Sequence, residues 1–463
     1  MLCLKRIIHE VQEIKHDLLL GGGLMKLFHK GSLTFAIAFA LAAPSTVFAT
    51  NGMFLIGYGA KGTAMGGAGV AYPQDAMITA YNPAGMTEIG EMRLDATLEL
   101  FHPPRAVKHD SSTIPADVRS KDDWFPIPAI GAVMSDKSTP MALGMAIVGA
   151  GLGTRYKQTT GTFFSPAGTS PAYKEVGVFL MHMDMLPSMA YKVDENNSIG
   201  ASVVISMQTF RAYGLEAFTS GTFNFTSSTD SLTNRGNDWS LGGGYRLGWL
   251  GTYFDKRLNF GLNFAPKLHM QRFNRYSGLF ANHGEFDIPK NYTAGMAFKF
   301  TPKTTVAFDV ERILWSGVPS IGHEGPTTTG TLGLNPLCPG GNGGRPECQL
   351  GGSLGMGFGW RDQTVRKLGV EHKYNKNVTL RAGYNYGKSP IQEDQVLFNM
   401  LAPATSEKHY TFGTTYERKD DDITLTFMYS PEKIIKGPTM FPGASASLAM
   451  NQKSVSIAYG LKF

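Results

Sequence analysis

Segments of this chain that read as strands are joined by links that alternate strictly between short and long, and few architectures permit that. The segments themselves have a period of two. Leu258, Phe260, Leu262 and Phe264 alternate with Asn259, Gly261, Asn263 and Ala265, and Val306, Phe308 and Val310 alternate with Ala307, Asp309 and Glu311. At the C-terminus Val455, Ile457, Tyr459, Leu461 and Phe463 share one face, while Ser454, Ser456, Ala458, Gly460 and Lys462 share the other. A strand that crosses a bilayer needs roughly 9–11 residues with one apolar face. Fourteen stretches qualify, near 92–101, 126–135, 139–149, 182–193, 197–209, 238–253, 257–271, 289–301, 304–314, 362–374, 377–387, 407–418, 422–431 and 451–463. Short turns at 136–138, 194–196, 255–256, 302–303, 375–376 and 419–421 alternate with long links at 102–125, 150–181, 210–237, 272–288, 315–361, 388–406 and 432–450. A soluble sandwich has no reason to sort its loops by length. A barrel with small turns at one end and large loops at the other must do so, and an even strand number returns both termini to the turn end. The expected fold is all-β, a 14-stranded antiparallel transmembrane β-barrel over residues 91–463.

The composition agrees. Only 17% of the residues are charged, 11% are aromatic and 55 are glycine. No apolar run is long enough for a transmembrane helix except one near the N-terminus, which reads as a signal peptide over 25–49. It has a basic start at Met25-Lys26-Leu27-Phe28-His29-Lys30, an apolar core from Leu33 to Ala42, and a small-residue cleavage site at Val47-Phe48-Ala49. Residues 1–24 read as an upstream start extension. Residues 1–49 hold five Lys/Arg and three Asp/Glu, so cleavage lowers the formal charge from +6 to +4. There is no basic block and no nucleic-acid motif, so no nucleic-acid partner is expected.

Residues 50–90 fit neither a helix nor a strand. Seven glycines fall between Gly52 and Gly69, too many for a stable helix, and branched residues are too few for a strand. A segment this small and smooth suits a compact plug packed inside something larger. It closes on Asn82-Pro83-Ala84, where Pro83 fixes its own φ and pushes Asn82 out of the helical region. A Gly-rich run near a mature N-terminus, closed by this motif and followed by many short alternating strands, resembles the FadL-type outer-membrane transporters for fatty acids and hydrocarbons. The stretches Pro187 to Lys192, Trp239 to Leu250, Pro289 and Asn399 to Tyr416 resemble the family too.

The resemblance implies an N-terminal hatch inside the barrel lumen and energy-independent uptake of hydrophobic molecules. Ligand would be caught by the outer loops, held in an apolar pocket, and released sideways through a gap beside a kinked third strand. Such a route is physically sensible, because burial in an apolar lumen stabilises a hydrocarbon by about 0.8 kcal/mol per CH₂. The resemblance further implies a monomer in the outer membrane of a Gram-negative bacterium, with both termini periplasmic and without cofactor or metal. Its other partners would be membrane lipid, lipopolysaccharide and the barrel assembly machinery, which reads a terminal strand ending in an aromatic such as Phe463.

Candidate site residues follow. Asn82, Pro83 and Ala84 would seat the hatch or gate it. In the third strand, Met141 to Gly153, Gly149 and Gly151 either shape the lateral opening or begin the outer loop. Met53, Phe54, Leu55 and Ile56 are the expected ligand pocket. Met145, Met183, Met185, Met189 and Met207 are pocket lining or lipid-facing filler. A fatty-acid carboxylate would want a basic partner, for which Arg211, Arg246, Lys267 and Arg272 are candidates, unless they face lipopolysaccharide phosphates instead. The stretch from Leu215 to Phe225 is apolar for an outer loop and reads as a capture patch or as packing between loops.

Cys338 and Cys348 lie ten residues apart in a Gly/Pro-rich stretch, and in an oxidising envelope a loop-closing disulfide is expected. Two thiols without a nearby histidine are too few for a metal site. Competing functions are a general diffusion porin or adhesin, and an outer-membrane lipid hydrolase. The hydrolase would need a nucleophile with a positioned base, and no G-x-S-x-G element is present. The expected protein is therefore not an enzyme.

Overall fold

The computed structural model describes residues 51–90, 92–110, 116–135, 138–157, 175–219, 225–325, 337–338, 345–441 and 443–463. The expected start extension and signal peptide lie outside them.

Fourteen long strands form one closed antiparallel wall. They are β1 (Arg93–His102), β2 (Phe125–Ser135), β3 (Met141–Gly153), β4 (Glu175–Lys192), β5 (Asn197–Tyr213), β6 (Asp238–Tyr253) and β7 (Leu258–Ala265). The second half comprises β8 (Asn291–Thr301), β9 (Thr304–Ile313), β10 (Gln363–Lys373), β11 (Val378–Gly387), β12 (Lys408–Glu417), β13 (Asp421–Pro438) and β14 (Ser445–Lys462). Each strand pairs with the next, and β1 closes on β14 from Arg93↔Lys462 to His102↔Lys453. Joining the first strand to the last leaves the sheet with no free edge strand, which is what allows strands to cross a bilayer. Among the described residues no helix is long and apolar enough to do so.

The period-two patterning maps onto the two faces of this wall. On β13, Asp422, Thr424, Thr426 and Met428 are buried toward the lumen, while Ile423, Leu425, Phe427 and Tyr429 are exposed outside. Val203 and Ile205 on β5 and Leu262 on β7 extend the exposed apolar band, the surface that lipid covers.

One expected loop is corrected. The link placed at 432–450 is mostly strand: β13 runs on to Pro438 and β14 starts at Ser445. A register shift between Ser430 and Lys433 absorbs Pro431, after which pairing resumes at Lys433↔Met450. The loop-end half of β14 then pairs with a short strand, Arg105–Asp110, rather than with β1.

Residues 51–90 lie inside the wall. Their helical pieces are short, α1 (Gly59–Ala64) and α2 (Ile78–Tyr81), followed by a 3₁₀ stretch from Pro83 to Glu88. So irregular a backbone leaves many amide and carbonyl groups without regular partners, and wall side chains supply them. Asp309 accepts from the amides of Gly69 (2.8 Å) and Val70 (2.9 Å), and Asp95 accepts from that of Ala76 (2.8 Å). Thr411 accepts from the Gly66 amide (3.1 Å) and donates to the Ala64 carbonyl (2.9 Å), and Thr426 donates to the Ala60 carbonyl (2.8 Å).

Wall glycines make room for this contact. A Cβ at Gly383 would fall on the Gly66 amide, one at Gly261 on the Val70 carbonyl, and one at Gly200 on the Ala84 amide. At Gly131 it would lie 2.8 Å from the Ala76 backbone. These positions form a belt around the lumen into which the hatch backbone fits. Above it, at the loop end, the long links pack into an apolar core that includes Trp315, Trp360, Phe273, Tyr276 and Phe280.

Candidate functional site

Three features line the lumen: the closing motif of the hatch toward the turn end and, toward the loop end, an interruption in the wall and an apolar cavity under the loops.

Asn82 is fully buried, with extended backbone (φ −157°), as the proline after it requires. Its amide nitrogen donates to the Val70 carbonyl (2.8 Å) within the hatch and to the Trp249 carbonyl (2.9 Å) on β6. Its Oδ1 accepts from the Ala84 amide (3.1 Å), capping the 3₁₀ turn that Pro83 opens. One side chain thus joins two hatch segments to the wall. Arg246 adds a bond from β6 to the Ala80 carbonyl. At the turn end, Lys61 of α1 and Arg93 of β1 share Asp422 of β13, at 2.9 Å and 2.6 Å.

Asp75 in the hatch accepts from the Met77 amide (3.0 Å). Burial pushes its carboxyl up to about 6, and the charge of Asp95 adds to the rise. The folded value lies above that of the free side chain, so this group supports the fold below about pH 4 and loses its contribution as pH rises through about 6. Asp75→Asn, which keeps the acceptor, is expected to raise the thermal midpoint at pH 8 and leave it unchanged at pH 4. Equal shifts at both values would remove the carboxyl from the account.

The wall is interrupted between β2 and β3. Their ladder ends at Ile130↔Ile147. Beyond it β2 stays paired with β1 as far as Phe125, and β3 stays paired with β4 as far as Gly153. Across that stretch the two strands do not bond to each other. Pro126 and Pro128 explain why. Two residues apart, their nitrogens share one strand edge, and the intact ladder to β1 leaves that edge facing β3 without donors. The window closes again above, where the Lys121 amide donates to the Arg155 carbonyl (2.7 Å) and Arg105 to the Gly153 and Asp122 carbonyls.

Leu55 and Ile56 of the hatch pack behind the window with Phe101, Phe125, Ile127 and Ala150. Met53 belongs to the loop-end core, and Phe54 lies against Trp315 with ring centroids 5.3 Å apart. The four residues from Met53 to Ile56 therefore run from that core to the window. Gly149 and Gly151 lie on the unpaired stretch of β3, opposite Met183 and Met181 on β4. By strand alternation they share the outward face with Met145, which is exposed. Met183, Met185, Met189 and Met207 are outward-facing by the same alternation, so the five methionines border lipid.

The cavity, of about 40 Å³, lies in the loop-end core between Val178, Phe210, Leu215, Phe218, Phe280, Phe398 and Leu401. Its single hydroxyl, on Ser320, donates to the Glu285 carbonyl. Leu215, Phe218 and Phe225 are buried in this core, while residues 220–224 lie outside the described residues. The four basic candidates are elsewhere. Arg211 is exposed and stacks on Phe179 (5.1 Å), Arg246 holds the hatch, Lys267 pairs with Asp287 (3.1 Å), and Arg272 is exposed. Cys338 and Cys348 are joined by a disulfide with Cα atoms 6.0 Å apart. Near the window, Ser206 donates to Asp184 (2.5 Å), and His182 contacts the same carboxylate (2.9 Å). That carboxylate takes both partners, so no hydroxyl–imidazole pair forms there.

Sequence reasoning missed the two prolines and the glycine belt. The signal for the first was available as two prolines in alternate positions of one strand.

Residues 39–462 match the family described as outer membrane protein transport protein (OMPP1/FadL/TodX). The chain belongs to this family. Its fold is similar to that of the Pseudomonas putida toluene transporter TodX, with a TM-score of 0.62 at 19% identity over 88% of this chain and 99% of that one. A Pseudomonas aeruginosa FadL homologue gives 0.61 at 14% identity, covering 89% and 100%. The Ralstonia pickettii toluene transporter TbuX gives 0.54 at 19%, covering 88% and 98%. Comparison with curated proteins finds no match. The protein is an outer-membrane transport β-barrel, and its family carries hydrophobic substrates.

Proposed function

We propose that this protein imports hydrophobic molecules passively and releases them sideways through the window between β2 and β3. The interrupted ladder beyond Ile130↔Ile147 carries this reading. A hatch bonded to the wall from several strands separates this reading from a diffusion porin. An apolar solute moves from the loop-end cavity along Met53 to Ile56 and into the bilayer core, so it never returns to water. The long loops face outward and capture ligand, both termini are periplasmic, and the barrel acts as a monomer without cofactor.

Restoring the missing donors tests the exit. Pro126→Val with Pro128→Val lets the ladder continue, and uptake of a labelled hydrocarbon is expected to fall about tenfold while the barrel still folds. Unchanged uptake through the folded double variant would remove the window from the route.

A further inference from the structure

We infer that Glu99 sets a charge rule at the exit, letting neutral hydrophobic molecules pass and refusing carboxylates. This rests on the lateral route proposed above. Glu99 is on the lumenal face of β1, between Thr97 and Phe101, and is only 8% exposed. Its cross-strand neighbour on β2 is Ile127, which forms the inner face of the window with Phe125. On β14 it faces Ser456, and the Ser454 hydroxyl on the same face interacts with its carboxylate. No cation forms an ion pair with Glu99 among the described residues.

The lumenal cations are committed elsewhere. Lys61 and Arg93 share Asp422, Lys367 and Arg381 hold Glu311 and Glu371, and Arg246 donates to the hatch, while Arg105, over Phe125 at the upper rim of the window (5.6 Å), spends its donors on the carbonyls of Pro103, Gly153 and Asp122. On the other flank of the window β4 presents a second acid, Asp184, opposite Val148 of β3. A carboxylate drawn into this passage would be stripped of water beside Glu99 and Asp184, and the cations within reach, Arg105 and His182, already hold other acceptors. An alkane or alcohol meets no such barrier. Selectivity here comes from what the passage repels.

The test uses the full-length protein in a Gram-negative host that lacks its own transporter for hydrophobic compounds, with labelled dodecane, dodecanol and dodecanoate of equal chain length. Dodecane and dodecanol are expected to enter above the empty host, and dodecanoate about tenfold more slowly. Glu99→Gln is expected to bring dodecanoate close to dodecanol and leave dodecane unchanged. Dodecanoate entering the wild type as fast as dodecane would overturn the rule. A deficit that persists in a folded Glu99→Gln barrel would overturn it as well. If that variant does not assemble, the wild-type ranking decides alone. Failure of dodecane itself to enter would sink the transport reading, and this inference with it.

Discussion

Gly383→Val yields a barrel that no longer holds its plug. The added Cβ would fall on the Gly66 amide, a backbone atom that cannot rotate away, and the next strand is as tightly occupied, because Gly369 of β10 pairs directly with Gly383. Overpacking of this kind costs about 1–3 kcal/mol where neighbours can yield. Here the neighbour is the hatch main chain, which also bonds to Thr411 and Asn385. The expected result is a steady ion conductance in planar bilayers, where the wild type stays nearly closed, with a lower unfolding midpoint. Gly317→Ala is the control, since nothing lies within 4 Å of a Cβ placed there. A Gly383→Val protein as tightly closed as the wild type would show that the belt does not seat the hatch.

Asp422→Ala is expected to cost about 3–5 kcal/mol, the penalty for leaving buried charge without its counter-ion. Two cations depend on this carboxylate, Lys61 from the hatch and Arg93 from the first strand, and all three side chains are almost completely buried. Lys61→Met should cost much less, because Asp422 keeps its bond to Arg93 and Arg93 keeps Asp95 at 2.7 Å. Midpoints from heat-modified gel migration or scanning calorimetry would rank the two. Equal midpoints would mean that water reaches the cluster and screens it.

The barrel was legible because its causes are local. Alternation along each strand and the lengths of the links depend on residues close in sequence, and they place β6 at 238–253, the bounds the structure shows. Where the reading failed, the cause was distant or two-sided. The stretch 432–450 follows Pro431, contains Gly437 and Pro438 and reads as a loop, until a bulge and pairing to Arg105–Asp110 make it strand. The gap was sought in the glycines of β3, but the donors are missing from β2, because a ladder has two sides and prolines on either can end it. Gly131, Gly200, Gly261 and Gly383 look like weak points in four separate strands, and only the closed wall shows them meeting one inserted chain. The basic candidates could not be placed from spacing, since their partners, such as Ala80 for Arg246, lie far away in sequence.

The glycine belt also imposes an order of events during biogenesis. Residues 51–90 touch strands from both halves of the wall, and the seam joins the first strand to the last. The hatch backbone lies so close to Gly131, Gly200, Gly261 and Gly383 that a single Cβ at any of them would meet it. The N-terminal segment must therefore wait in place as a former while the sheet is wrapped around it, and only the arrival of β14 locks it in.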